Sequence, residues 1–241
     1  MRVANLVGQA VLEMTSGPDP DAAIDRHYAS DFIQHSPIFP AGRDGLKAMV
    51  KQAKESGATY QLLQAIGEGD YAVLFARVTG LADEPVLLYN FYRVADGKVA
   101  EHWEGIQPES LRATGTPTLT DGLAEITDVD RTTRNRDLVR DMIEKVFVGR
   151  NPATLDDYVA MDKLIQHNPL RSSDSNDSVD YVKLHRIIAE GNFVFAQSEG
   201  TVAGQPHAFL QLFRVQDGKI AEHWDVATPV PDQPPHDNGV F

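Results

Sequence analysis

Cysteine is absent from this chain of 241 residues, which excludes a disulfide framework, thiolate metal sites and thiol catalysis together. A reducing compartment suits that composition, and the cytoplasm is the expected location. Positive charge is scarce as well: 22 Lys and Arg stand against 35 Asp and Glu, a formal net charge of −13. Residues 1–120 hold 10 basic and 15 acidic side chains, and residues 121–241 hold 12 and 20. Neither half hides the basic footprint that phosphate binding requires, so no nucleic-acid partner is expected. No run approaches the roughly 18 apolar residues of a membrane span, and no membrane partner is expected either. The opening MRVANLVGQAVLEM is broken by Gln9 and Glu13 and reads as an amphipathic helix rather than a signal peptide. Also missing are G-x-S-x-G, a Gly-rich phosphate loop and a dinucleotide fingerprint. Tryptophan occurs only twice, both times in one string: AEHWEG at 100–105 and AEHWDV at 221–226.

That string belongs to a longer repetition. DFIQHSP at 31–37 matches KLIQHNP at 163–169, and GEGDYAV at 67–73 matches AEGNFVF at 189–195. FYRVADGKVAEHW at 91–103 matches LFRVQDGKIAEHW at 212–224 at nine of thirteen positions. Three matches in the same order, at offsets of 132, 122 and 121, make the chain a tandem duplication. The period is too long for a solenoid, so each copy is a domain: residues 1–112 and 133–241, joined by a Thr-, Gly- and Asp-rich linker at 113–132.

The element order within a copy follows from pattern. Helices are expected at about 2–15, 21–29 and 43–56, the second opened by Asp19 as N-cap and Pro20 in the first turn. A short extended piece from Phe32 to His35 lies between the second and third. Four strands then fill residues 58–107, with Asp96-Gly97 turning the last hairpin. The second copy opens with Leu138, Val139, Met142, Ile143 and Val146 at helical spacing. Between Pro169 and Asp180 it is ten residues shorter than the first copy over the corresponding stretch, which removes its third helix. Helices followed by an antiparallel sheet make an α+β plan, the helices packed on one face of a curved sheet.

The pair of motifs Q-H-x-P and R-V-x-D-G-K-x-x-E-H-W-acid resembles the SnoaL-like polyketide-cyclase family of the nuclear-transport-factor-two-like superfamily. The resemblance covers both copies, about 110 residues each, and implies two tandem cone-shaped α+β domains of cystatin-like type. It implies a cofactor-independent enzyme, with neither organic cofactor nor metal. Copy two keeps the family's Gln166-His167-Asn168-Pro169 and Glu222-His223-Trp224-Asp225. Copy one has Ser36 for the Asn and Glu104 for the final Asp. Both lack the first Asp of the second motif, where Asn90 and Gln211 stand; an amide hydrogen-bonds but shuttles no proton.

Alternation along the last strand divides the string between two faces. A three-residue loop with a Gly bulge pairs Val94 with Lys98 and sets Asn90 opposite His102 and Leu88 opposite Glu104. A two-residue loop would shift these pairings by one. In the preferred register one face carries Asn90, Tyr92, His102 and Glu104, and in copy two Gln211, Phe213, His223 and Asp225. Imidazole and carboxylate then stand about 6–7 Å apart, close enough to meet one ligand. The other face holds Arg93, Glu101 and Trp103, and Arg214, Glu222 and Trp224, an ion pair beside an aromatic plate.

The residues expected to carry chemistry are His102, Glu104, His223 and Asp225, the carboxylate as base and the imidazole polarising a substrate oxygen. Asn90, Tyr92, Gln211, Phe213, His35 and His167 are expected to orient the substrate. A carboxylate in an apolar pocket is tuned upward for proton transfer near neutral pH, and enolate chemistry needs only a base and an oxyanion donor. A metal is the weaker reading, because the histidines come from separate segments without tight ligand spacing. The expected activity is aldol-type cyclisation, isomerisation or elimination next to the carbonyl of a small apolar ligand. The competing reading is a non-catalytic binder or scaffold that keeps the fold. Duplication also leads us to expect an intrachain pseudo-dimer, and is compatible with a homo-oligomer.

Overall fold

The computed structural model describes residues 2–109, 120–122, 125–167 and 178–241. By contacts, residues 1–110 and 230–241 form one unit and residues 111–229 a second. Much of the expected linker, 113–119 and 123–124, lies outside the described residues, as does 168–177, where the shortened third-helix region was expected.

The first unit runs α1 (Val3–Ser16), α2 (Pro20–His27), β1 (Tyr28–Gln34), α3 (Gly42–Glu55), β2 (Thr59–Glu68), β3 (Tyr71–Thr79), β4 (Val86–Ala95) and β5 (Lys98–Pro108). The second contains α4 (Thr132–Met142), which continues into a π-helical turn at Ile143–Val148. It continues with β6 (Ile165–Gln166), β7 (Val179–Glu190), β8 (Phe193–Val202), β9 (Gln205–Gln216) and β10 (Lys219–Pro229). Each unit has one five-stranded sheet, ordered β1-β5-β4-β3-β2 and β6-β10-β9-β8-β7, the same order twice. The architecture is the expected α+β plan in tandem. Among the described residues no helix is long and apolar enough to cross a membrane.

Local chemistry accounts for the helices. Asp19 Oδ1 accepts the Ala22 backbone N–H at 3.0 Å, and Pro20 occupies the first turn of α2. α1 buries Ala4, Val7, Ala10, Val11 and Met14, a stripe at helical period. Val7, Ala10, Val11 and Met14 meet Ile24 of α2, Leu46 and Val50 of α3, and Leu74, Tyr92 and Val99 of the sheet. In the second unit Val139, Met142, Ile143 and Val146 pack on Phe213, Val215 and Ile220.

The hairpin between β4 and β5 differs from expectation in an instructive way. Asp96 and Gly97 both have positive φ, 49° and 74°, so the loop has two residues and Ala95 pairs with Lys98. A bulge follows: Val94 pairs with Val99 but Arg93 with Glu101, leaving Ala100 as the extra residue. Loop and bulge together place Tyr92 opposite His102 and Asn90 opposite Glu104. The expected pairings of Asn90 with His102 and Leu88 with Glu104 are therefore out by two residues. A slip of two preserves which face each side chain occupies, so the division of faces stands. β9 and β10 repeat the arrangement with Ala221, giving Phe213 opposite His223 and Gln211 opposite Asp225.

Candidate active site

Three strands of the first unit bring the polar groups together. β5 supplies His102 and Glu104, β4 supplies Asn90 and Tyr92, and the parallel partner β1 sets Gln34 beside His102. All of these side chains are buried. Asn90, Tyr92, His102 and Glu104 line a cavity of about 350 Å³ whose apolar wall includes Val11, Met14, Leu46, Met49 and Val50 of α1 and α3. A volume of that order suits a small organic ligand.

His35 lies elsewhere. Its ring stacks on Trp103 with centroids 4.3 Å apart and planes 3° from parallel, and its Nε2 is 3.0 Å from Glu101 Oε2. Glu101 also takes a side-chain bond from Arg93. His167 repeats this arrangement on Trp224 and Glu222, the latter held by Arg214. The expected third polar groups, His35 and His167, thus stand on the ion-pair face. Alternation gives the reason: when residue 35 faces one side, residues 34 and 36 face the other. Gln34 and Ser36, absent from the sequence-based site, are the ones that reach the pocket network.

Ser36 Oγ–H donates to Glu104 Oε1 at 2.7 Å, and the Ser36 backbone N–H donates to Gln34 Oε1 at 3.0 Å. That second bond fixes Gln34 Oε1 as an acceptor, so at 3.1 Å His102 Nδ1 must donate to it. Burial, with a smaller contribution from His35, pushes His102 down to about 3, so the ring is neutral and Nε2 carries no proton. An amide oxygen turned to Nε2 would set two acceptors face to face, so the Asn90 side chain, 2.9 Å away, must present its amide N–H there. Both ring nitrogens are engaged. His102 organises Asn90 and is itself braced from behind by Tyr92, whose ring stacks on it at 4.6 Å.

Glu104 is the titratable centre. Burial pushes its carboxyl up to about 7, against a smaller lowering by the Ser36 hydroxyl. Nearby, the Tyr28, Tyr60 and Tyr92 phenols are all raised by burial and are neutral donors at ordinary pH. The hydroxyls of Tyr28 and Tyr60 are buried without a hydrogen-bond partner among the described residues, and both residues line the cavity. Unmade bonds of this kind cost about 1–3 kcal/mol each. Among the described residues no cluster of His, Asp and Glu is placed to hold a metal.

Glu104 also makes stability depend on pH. Its folded value of about 7 stands above the ordinary 4.5, so folding favours the protonated acid. The stability this gives is complete below about pH 4.5 and is lost as pH rises through about 7, some 3 kcal/mol in all. Glu104→Gln, which cannot ionise, is expected to remove that loss. Urea unfolding at pH 5 and pH 8 measures it: the wild-type difference should shrink by about 2.5 kcal/mol in the variant, since part of the loss has already occurred by pH 5.

The second copy answers the same geometry with different lengths. Asn90 faces Glu104, whereas Gln211 faces Asp225. The amide has gained the methylene that the acid has lost. The longer Gln211 reaches the Tyr181 hydroxyl at 3.1 Å and His223 Nε2 at 3.2 Å, and Gln166 Nε2 donates to His223 Nδ1 at 2.8 Å. Tyr181 stands 121 positions after Tyr60, the offset of the last repeated motif. Its hydroxyl bonds to Gln211, whereas that of Tyr60 has no partner among the described residues. Phe213 stacks on His223 at 4.5 Å, as Tyr92 does on His102, and Asp225 is fully buried.

Residues 9–102 match the model of a protein family described as the SnoaL-like domain. A search of curated proteins gave no match. Among solved structures, TsrD from Streptomyces laurentii is 18% identical over 43% of this chain and 89% of its own, with a TM-score of 0.36. IdmH from Streptomyces antibioticus, described as a candidate polyketide cyclase, is 18% identical over 44% and 93%, with a TM-score of 0.38. An NTF-2-like protein of unknown function from Burkholderia xenovorans is 18% identical over 47% and 88%, with a TM-score of 0.39. Residues 9–102 thus match the SnoaL-like domain, and the second sheet, built in the same strand order, fits a tandem duplication of one α+β fold.

Proposed function

We propose that the first unit binds a small, largely apolar carbonyl compound and that Glu104 moves a proton at the carbon next to its carbonyl. One observation carries this reading: a carboxyl held near pH 7 by burial, in a largely apolar cavity lined also by hydroxyls without a partner among the described residues. The Glu104 carboxylate takes the proton, the C–H electrons form the carbon–carbon double bond, and the charge moves to the carbonyl oxygen. A Tyr28 or Tyr60 hydroxyl donates to that oxygen, where developing charge gains most from a preplaced donor. The enolate then either attacks a second carbonyl or is reprotonated by the Glu104 acid elsewhere. The SnoaL-like match of residues 9–102 and the polyketide-cyclase description of IdmH agree with such chemistry.

The binder or scaffold reading fits the second copy, because the Gln166, His223, Gln211 and Tyr181 side chains already bond to one another. Deuterium incorporation at the α-carbon, followed by NMR over a panel of cyclic and aryl ketones, tests both assignments. Exchange should vanish in Glu104→Gln and persist in Asp225→Asn. Exchange unaffected by Glu104→Gln would reject the reading, and loss in Asp225→Asn would move the site to the second copy.

Tyr60→Phe separates ligand binding from folding. It removes a hydroxyl that no group among the described residues satisfies, so the unfolding midpoint should hold or rise slightly. Affinity for a ketone that exchanges should fall about tenfold by calorimetry, the value of one good hydrogen bond.

A further inference from the structure

β1 is an edge strand, paired with β5 on one side only, and its other side is covered from the far end of the chain. The Gln34 carbonyl accepts Asn238 Nδ2–H at 2.8 Å, and the Ser36 carbonyl accepts His236 Nε2–H at 2.9 Å. His35 Nδ1–H donates to the Gly239 carbonyl at 3.0 Å. Three consecutive residues of the first unit are therefore gripped by residues 236–239. The approach to that grip, PVPDQPPHDNG, holds four prolines counting Pro229, which lowers the entropy lost in fixing it.

The same three residues are where the inner network begins. Gln34 orients His102, and Ser36 donates to Glu104. The last backbone hydrogen bond from this segment to β5 is the His35 N–H to the His102 carbonyl, at 2.8 Å. Ser36 lies one residue beyond it, and its carbonyl is held by His236. We propose that residues 236–239 are a positioning strap for the first unit's site, holding Gln34–Ser36 so that the Ser36 hydroxyl stays on Glu104. Naming Glu104 the proton-transfer group rests on the function proposed above; the contacts do not. A strap that merely covers an edge strand would stabilise the fold and leave Glu104 untouched.

The groups facing Glu104 limit what else could move its titration. They are Ser36 from the end of β1, Asn90 and Tyr92 from β4, and neutral His102 on its own strand, with Tyr28 and Tyr60 acting on Tyr92. Lys54 of α3 borders the cavity but spends its ammonium on the Gly17 carbonyl. The Ser36 bond favours the carboxylate, so losing it raises the midpoint, by about one pH unit for a bond to a charged group.

The test follows the carbonyl stretch of protonated Glu104 in infrared pH titrations, assigned by its absence in Glu104→Gln. His236→Ala/Asn238→Ala should raise the midpoint in the same direction as Ser36→Ala. In the Ser36→Ala background the strap substitutions should add nothing, because they act through that hydroxyl. His236→Gln, which keeps an N–H donor, should restore most of the wild-type midpoint in an Asn238 wild-type chain. An unchanged or lowered midpoint in the strap variant, or an equal shift with and without Ser36, overturns the proposal. Thermal unfolding of each variant, and a second deletion of residues 236–241, confirms that folded protein is being titrated. A failure to find any exchanging ketone would reject the proposed reaction and leave this readout intact.

Discussion

Glu104→Gln is expected to lower α-proton exchange in a responsive ketone by about 10²–10⁴-fold, the usual contribution of a positioned base. Glutamine matches the acid in shape and still accepts from Ser36, so the cavity should persist and ketone affinity should change little. The loss then appears in kcat rather than in KM, the pattern of an interaction made only in the transition state. The pH profile supplies an independent check. In the proposed reaction the active species is the carboxylate, so the wild-type rate should climb with pH and level off above about 7, where Glu104 ionises. Because His102 is pushed down to about 3, it adds no second limb near neutrality. A profile that levels off near the ordinary carboxylate value would mean that Glu104 is solvated during turnover.

Arg214→Met is expected to destabilise the second unit by about 3–5 kcal/mol, the cost of leaving a buried charge without its partner. The Glu222 side chain is only 5% exposed, and Arg214 and His167 both hold it. Adding Glu222→Gln should recover most of the loss, because the unpaired charge rather than the missing bond is what costs. Arg93→Met on the first copy makes the internal comparison. Glu101 is 16% exposed and Arg93 33%, so water can take over part of the guanidinium's role and the effect should be smaller. Urea unfolding monitored by tryptophan emission reports both, since Trp103 and Trp224 stand beside the two ion pairs.

Much of this architecture was legible because the chain states it twice. The repeated strings gave two sheets, and the Asp19-Pro20 cap and the α1 stripe gave helices. The division of β5 into a His102/Glu104 face and a Glu101/Trp103 face was also legible, though by a route that missed the bulge. Nothing about Ala100 marks it as an extra residue; the bulge is a property of the β4–β5 pair, and a single strand does not encode it. The misplacement of His35 has a similar origin. Its orientation depends on β1 pairing in parallel with a strand almost seventy positions away, and short extended segments carry no period long enough to fix a face. Tyr28 and Tyr60 are not legible as site residues in the sequence, because a buried aromatic looks the same whether it fills a core or offers a hydroxyl. The repeat held a clue: Tyr60 and Tyr181 coincide, and the amides near them, Asn90 and Gln211, differ in length. The grip of residues 236–239 on β1 left no periodic trace at all.

The Ala100 bulge has a consequence for how this domain tolerates change in length. Hairpin loops are ordinarily where chains accept an added or lost residue most freely. Here Asp96-Gly97 and Ala100 together set the parity of everything beyond them on β5. Losing one residue between Ala95 and Glu101 would turn the indole of Trp103 toward the cavity and send the Glu104 carboxyl to the ion-pair face. The loop joining β3 to β4, residues 80–85, bears on parity at the other end of β4 and leaves the β4–β5 pairing alone. Length variation among chains of this kind should therefore concentrate in that loop and spare the Asp-Gly turn. A single alanine, with no functional group of its own, determines which chemistry the cavity receives.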